Sequence, residues 1–172
     1  MHSRFLRWSR LVSPVLAILA VFLAAPVAKA QPGANQLAGP WRFTLTAPAV
    51  APGFQLQALG TFTSDGNFIG TETGDGAAQP ARGFTETPAH GAWLRTSPYN
   101  FKVTFWTISW QQPDGNTFVG FFIVNMTLTY DPRTDQISGS WSARNIDPNE
   151  NVFFRVEGLL TAKQIVVETT PQ

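Results

Sequence analysis

Apolar and polar residues alternate along several short segments of this chain, which is the pattern of half-buried β-strands. In residues 54–63 the even positions are apolar and most odd positions are polar. Residues 137–143 and 152–162 repeat this alternation, and no segment shows a convincing amphipathic helix period. Turns rich in Gly, Pro, Asp and Asn separate the segments. The pattern therefore predicts an all-β domain.

Eight strands are predicted, and most of them are joined by short turns. They lie at residues 41–47, 54–63, 68–73, 89–95, 99–111, 117–130, 136–145 and 151–165. Sequential hairpins close most economically into an eight-stranded antiparallel up-and-down β-barrel, because closure removes both exposed edges. A two-sheet β-sandwich is the alternative. The interior of an eight-stranded barrel is either filled by side chains or holds one small ligand.

The first thirty residues have the layout of a cleaved secretory signal peptide. Three arginines precede an apolar run at residues 15–25, and Ala28-Lys29-Ala30 supplies a small-residue cleavage site. The run is too short for a membrane span of roughly 20 residues. We expect a flexible leader at 31–38, one barrel domain at 39–166 and a loose tail at 167–172. The protein is expected to be secreted or periplasmic, without a stable membrane span after cleavage.

Composition narrows the possible partners. Removing residues 1–30 leaves eight basic against 11 acidic residues, so the net charge changes from +1 to about −3. A mildly acidic surface without a basic cluster argues against a nucleic-acid partner. The chain has no Cys, which excludes disulfides and thiolate metal sites. With one His after residue 30 and no carboxylate cluster, we expect no metal and no cofactor.

The most aromatic stretch, residues 99–130, reads as a hairpin around a Pro-Asp-Gly turn. The even positions of its second strand form one apolar face. On its first strand the apolar set shifts from odd positions to even positions at Trp106, Ile108 and Trp110. A β-bulge near residues 105–106 would turn both sets inward. A regular strand would instead place these three residues outside, in an apolar patch with the outward residues Val119, Phe121 and Ile123 of the second strand. Such a patch would either form a homo-oligomer or be covered by another segment.

Residues 74–88 have no periodicity, and loops of this length are usually functional or disordered. We expect them to form a mobile lid, with Phe84 as its apolar contact. Inside the barrel, seven further side chains are expected to line or fill the space and to bind the ligand. They are Tyr99, Phe101, Phe105, Trp106, Phe122, Met126 and Trp141.

Three polar residues are candidates for catalysis, namely Glu72, His90 and Arg95. The direction of Glu72 depends on the turn at residues 64–67. With a two-residue loop, Glu72 points to solvent. With a type I turn and a bulge at Gly66, Phe62 faces Phe68 and Glu72 points inside. An inward carboxylate in an apolar cavity would have a raised pKa and would suit acid–base chemistry.

Gly39-Pro40-Trp41 at the start of the first strand resembles the Gly-x-Trp signature of lipocalins and related calycins. The resemblance implies an eight-stranded barrel in which the Trp closes one end, and Lys163 is the nearest basic residue of the last strand to pack over it. The architecture also resembles allene-oxide-cyclase-like barrels, in which a closed apolar cavity serves a cyclase.

These observations favour an exported calycin-like barrel that binds a small hydrophobic molecule in its interior. The enzymatic alternative is a metal-free cyclase or isomerase that uses the same cavity, although the sequence leans away from an enzyme. The third hypothesis is an envelope-associated interaction protein with a filled barrel and an active outer surface.

Overall fold

The computed structural model describes residues 36–73, 84–111 and 117–166. These residues contain nine β-strands. They are β1 (Gly39–Thr46), β2 (Gln55–Phe62), β3 (Asn67–Glu72), β4 (Phe84–Glu86), β5 (Ala89–Ser97), β6 (Asn100–Gln111), β7 (Phe118–Asp131), β8 (Gln136–Ile146) and β9 (Val152–Gln164). All paired strands are antiparallel. They form one sheet in the order β4-β6-β5-β3-β2-β1-β9-β8-β7, which the additional β6–β7 pairing closes.

Strands β4 and β5 act as one interrupted strand, because both pair with the same edge of β6. Glu86 lies opposite Ser109 and His90 lies opposite Trp106, so the register shifts by one residue across Thr87 and Pro88. Proline has no backbone N–H to donate to a sheet, which suits it to this break. The structure is therefore an eight-stranded closed antiparallel barrel, and the predicted fold class is confirmed.

The interrupted strand corrects the prediction of a lid at residues 74–88. Residues 84–86 are not part of a loop but pair with β6. Three residues are too few to show a periodicity in the sequence, and the pairing depends on β6. The rest of the predicted lid, at residues 74–83, lies outside the described residues.

The β2–β3 turn adopts the bulged form, and this decides the register of β3. Gly66 has a φ of 96°, and its N–H donates to the Thr63 carbonyl at 3.1 Å. Phe62 consequently pairs with Phe68, and Ala58 pairs with Glu72. Trp93, on the neighbouring strand β5, stabilises this turn, because its indole N–H donates to the Thr63 carbonyl at 3.0 Å.

Large side chains fill most of the barrel interior. The fully or almost fully buried set includes Trp41, Phe62, Trp93, Phe101, Leu128, Ile137 and Trp141. The rings of Phe62 and Trp93 meet edge to face at 6.0 Å, and those of Trp93 and Phe101 at 5.8 Å. Such pairs add to the free energy gained by apolar burial. The middle of the barrel is therefore a packed core.

Trp41 closes one end of the barrel. It is fully buried, and its indole N–H donates to the Leu37 carbonyl at 2.9 Å. Leu37 falls in the stretch predicted as a flexible leader but is itself fully buried in the core. The ring of Tyr130 meets Trp41 edge-on at 6.2 Å. Lys163 does not pack over Trp41, because it is exposed and lies opposite Arg42.

Tyr130 also fixes the turn between β7 and β8. Its hydroxyl donates to Asp135 Oδ1 at 2.5 Å. This hydrogen bond, together with burial and the nearby carboxylates, raises the pKa of Tyr130 to about 12. The phenol therefore stays protonated at neutral pH and keeps Asp135 in place, where the backbone has a positive φ of 51°.

The β6–β7 hairpin settles which face Trp106 and Ile108 occupy. The β6–β7 register is regular from residue 100 to residue 109 and shifts only between Ser109 and Trp110. The bulge considered near residues 105–106 is absent from this ladder. Trp106 and Ile108 accordingly lie outside, with 45% and 37% of their surfaces exposed.

The outer face of β7 is partly covered. Ile123 is predicted to face outward and does lie outside the main core cluster, yet it is only 2% exposed. It stands between its cross-strand neighbours Trp106 on β6 and Arg144 on β8. The exposed apolar surface on this side of the hairpin is therefore carried by Trp106, Ile108 and Phe118 and not by Ile123.

Candidate functional site

A small pocket lies at the open end of the barrel, where β1, β3, β6 and β8 finish. Its lining is mostly apolar and aromatic, and two carboxylates interrupt it. The lining residues are Phe43, Leu45, Ala58, Leu59, Phe68, Gly70, Thr71, Glu72, Glu86, Ala89, Phe105, Thr107, Phe122 and Met126. Its free volume for water-sized molecules is about 40 Å³. That is room for about three waters at 10–15 Å³ each.

The bulged β2–β3 turn brings Glu72 to this pocket. Because Ala58 pairs with Glu72, the glutamate shares the inward face of β3 with Phe68 and Gly70. It is half-buried at the last position of the strand. Gly66, which lies six residues before Glu72, thus determines that a carboxylate enters the barrel mouth.

Four buried polar residues form a second feature at this end, which we call the polar cluster. It consists of Glu86, Thr107, Ser109 and Asn145, all of which are less than 5% exposed. The Thr107 hydroxyl donates to Glu86 Oε2 at 3.2 Å. Ser109 is the cross-strand partner of Glu86. Polar groups buried at this depth need hydrogen-bond partners, and the cluster supplies several of them internally.

Asn145 connects β8 to the polar cluster across a glycine. Its side-chain amide donates to the Ser109 hydroxyl oxygen at 3.3 Å. Gly120, the partner of Ser109 on the intervening strand, has a φ of 143° and lies so close to β8 that a β-carbon there would be 1.8 Å from the Ile146 carbonyl oxygen. Asn145 Oδ1 is buried, and no donor among the described residues bonds to it. Within the described ranges, the cluster therefore contains one acceptor without a hydrogen-bond partner.

Within the described lining, the ionisable side chains of the pocket are acidic. Two lining residues are glutamates, and among the described lining residues none is Lys, Arg or His. Within residues 36–73, 84–111 and 117–166, no group of three or more His, Cys, Asp or Glu side chains is arranged to hold a metal ion.

The three predicted catalytic candidates lie in different places. Glu72 lines the pocket. His90 is exposed on the outer face of β5, opposite Trp106. Arg95 is half-buried near the other end of β5, where its guanidinium donates to the carbonyls of Ser97 and Pro98 at 2.9 and 2.6 Å. The fold therefore does not bring these residues into one site.

Seven of the eight predicted ligand-contacting residues divide into three groups. Phe105, Phe122 and Met126 line the pocket. Phe101 and Trp141 are buried in the packed core below it. Trp106 lies on the outer face and Tyr99 is 43% exposed in a turn, so neither faces the interior. Phe84 belongs to β4 by its backbone, and its side chain lies outside the described residues.

The polar cluster was not predicted, although β6 carries a signal for it. Phe101, Val103 and Phe105 mark the odd positions as inward, and continuing that alternation places Thr107 and Ser109 inside. The prediction left open whether the strand is bulged or regular, and it did not name Thr107 or Ser109 as interior residues. Glu86 had no such signal, because its strand has only three residues.

Comparison with known protein families, with curated proteins and with solved structures found no match. The fold and the pocket by themselves define a closed eight-stranded antiparallel barrel with a filled interior and an acidic, largely apolar pocket at one end. In the part of the chain that the structure describes, no helix has the length and apolar character to cross a membrane.

Proposed function

We propose that this protein binds a small hydrophobic molecule in the pocket at the open end of its barrel, as a calycin-like carrier that acts after export. The observation that carries the proposal is the pocket lining, in which aromatic and aliphatic side chains surround a few polar groups. Ligand sites of proteins commonly have this composition. The closed barrel architecture is the one that calycins use.

The size of the pocket restricts how the ligand would bind. The free volume of about 40 Å³ is far below the 300–1,000 Å³ of a typical ligand site. Trp41, Phe101 and Trp141 occupy the space deeper in the barrel. The ligand would therefore insert one ring or a short alkyl segment between Phe105, Phe122 and Met126 while the rest stays near the mouth.

Titration with hexan-1-ol tests the proposal. Saturable chemical-shift changes are expected in the NMR spectrum at the backbone amides of pocket residues such as Phe105 and Met126. Ala58→Leu should weaken this binding by about tenfold, since the added atoms occupy the pocket next to Glu72.

Ala92→Leu provides the matched control. Ala92 lies on the exposed face of β5, so the same substitution adds the same atoms without touching the pocket. Its affinity for hexan-1-ol should equal that of the wild type. Absence of saturable shifts in the wild-type protein, or equal weakening by both variants, would contradict the proposal.

The outer surface of the hairpin supports a second candidate function in assembly. The outer face of β6 and β7 carries an apolar, mostly aromatic patch, which consists of Trp106, Ile108, Trp110, Phe118 and Phe121. The rings of Trp106 and Phe121 are 5.6 Å apart, and those of Phe118 and Phe121 are 5.3 Å apart. Contiguous apolar surface of this kind often marks an interaction site. The occupant we propose is a second copy of this chain.

Sedimentation equilibrium of the protein without residues 1–30 tests this assembly. Trp106→Lys should weaken self-association by about tenfold or more, because a charge would have to be desolvated within the patch. Leu94→Lys is the control, since Leu94 is an exposed apolar residue on the outer face of β5, away from the patch. A wild-type protein that stays monomeric at the highest concentration measured would refute the proposal.

A further inference from the structure

A polar groove crosses the outer face of β7, β8 and β9, and it shares no lining residue with the pocket at the barrel mouth. Residues 48–50, in the turn after β1, border it. The groove consists of two adjoining hollows of about 520 and 510 Å³, and each is within the range of about 300–1,000 Å³ that is typical of ligand sites. The outward side chains that matter for binding are Asn125, Ser142, Arg144, Arg155 and Glu157.

Two arginines of this groove stand directly opposite each other. Arg144 on β8 is the cross-strand partner of Arg155 on β9. Like charges in this arrangement repel each other. Within residues 36–73, 84–111 and 117–166, neither guanidinium has a hydrogen bond or an ion pair. A carboxylate bound between them would relieve the repulsion, because a guanidinium can donate two parallel hydrogen bonds to one carboxylate.

The next row of outward side chains contains neutral donors and one acceptor. Asn125, Ser142 and Glu157 are cross-strand neighbours in this row. The Thr104 hydroxyl donates to Asn125 Oδ1 at 2.8 Å, which leaves the amide N–H groups of Asn125 without an acceptor among the described residues. Glu157 is exposed and forms no ion pair with Arg144 or Arg155 in the same part of the chain. The row can therefore both donate to a ligand and accept from it.

We infer that the groove binds an acidic sugar, in which a ring with hydroxyl groups carries a carboxylate. The carboxylate would lie between Arg144 and Arg155, and the ring hydroxyls would bond to Asn125, Ser142 and Glu157. A hydroxyl donates and accepts, so it suits a row that contains amide donors and a carboxylate acceptor. A neutral sugar would leave the two guanidiniums without a counter-charge, and an anion without hydroxyls would leave the second row unused.

Three probes with a six-membered ring separate these contributions, namely glucuronate, glucose and cyclohexanecarboxylate at pH 7. Glucose lacks the carboxylate, and cyclohexanecarboxylate lacks the hydroxyls. The wild-type protein should bind glucuronate about tenfold or more tightly than either of the other two. NMR titration measures the affinities and also locates the site, since saturable shifts are expected at the backbone amides of Ser142 and Arg155.

Substitutions in the two rows should have different effects. Arg144→Gln should weaken glucuronate binding by about tenfold and leave glucose within about twofold of its wild-type affinity, because only the counter-charge is lost. Asn125→Ala should weaken both sugars by the same factor of about three, because a hydroxyl contact is lost. Arg42→Gln is the matched control. Arg42 also opposes a like charge, Lys163, but it lies outside the groove, so all affinities should stay unchanged.

Several outcomes would overturn the inference. They are the absence of saturable glucuronate shifts on β7, β8 and β9, equal affinities for glucuronate and glucose, and equal weakening by Arg144→Gln and Arg42→Gln. Cyclohexanecarboxylate that binds in the groove as tightly as glucuronate would also overturn it, because the hydroxyls would then contribute nothing. None of these results affects the proposed function of the pocket, since hexan-1-ol binding is measured at different residues.

Discussion

Replacing Trp41 with alanine is expected to lower the free energy of unfolding by about 3–5 kcal/mol. Trp41 is fully buried at the closed end of the barrel, so its removal leaves a cavity that the surrounding strands cannot fill. The Leu37 carbonyl loses the indole N–H that donates to it at 2.9 Å. Tyr130 loses its edge-on contact as well. Urea unfolding followed by far-ultraviolet circular dichroism measures the change.

Trp106→Ala is the control for this prediction. Trp106 is 45% exposed on the outer face, so the same substitution should cost only about 1 kcal/mol. If the two variants lose equal stability, Trp41 does not close the barrel as described. Trp41→Phe should fall between them, because it retains an apolar ring but leaves the Leu37 carbonyl without its indole donor.

The second large effect is expected at Gly158, whose replacement by alanine should destabilise the fold by about 3 kcal/mol. A β-carbon at this position would lie 1.7 Å from the carbonyl oxygen of Thr46, which is far inside van der Waals contact. That oxygen also accepts a hydrogen bond from the indole of Trp141 at 3.2 Å. The added methyl group must therefore separate β1 from β9 and break this bond.

Gly53→Ala distinguishes crowding from backbone strain in the same unfolding experiment. A β-carbon at Gly53 meets no atom within 4 Å, but its φ of 77° disfavours an alanine. This variant should therefore cost only about 1 kcal/mol. A Gly158→Ala protein that unfolds at the same urea concentration as the wild type would show that β1 and β9 are not in this close contact.

The strands that alternate most regularly are the ones that sequence reasoning locates well. Inward and outward positions alternate with a period of two, so an apolar inner face is visible as alternating apolar residues in the sequences of β2, β8 and β9. Strand β4 is the exception. A strand of three residues is too short to show this period. The three residues form a strand because β6 extends beyond β5 and offers them hydrogen-bonding groups.

The polar cluster could not be predicted for a different reason. Sequence reasoning assigns apolar residues to the interior, and at Thr107 and Ser109 that assumption fails. Their burial is acceptable only because distant residues satisfy them. Glu86 is 21 positions from Thr107, and Asn145 is 36 positions from Ser109. A linear pattern contains no information on whether such partners will meet.

The sequence by itself determined the all-β class and the positions of most strands, because alternation and turn residues are local properties of the chain. It favoured a closed barrel over a two-sheet sandwich, and the pairing of β6 with β7 at closure decided between them. It also reduced the orientation of Glu72 to a choice between two turn geometries. Tertiary structure decided that choice through the bulge at Gly66 and placed Trp106 outside the barrel. It also filled the interior and assembled the polar cluster around Glu86. These outcomes depend on which strands become neighbours, and pairing between distant segments is decided only when the barrel closes.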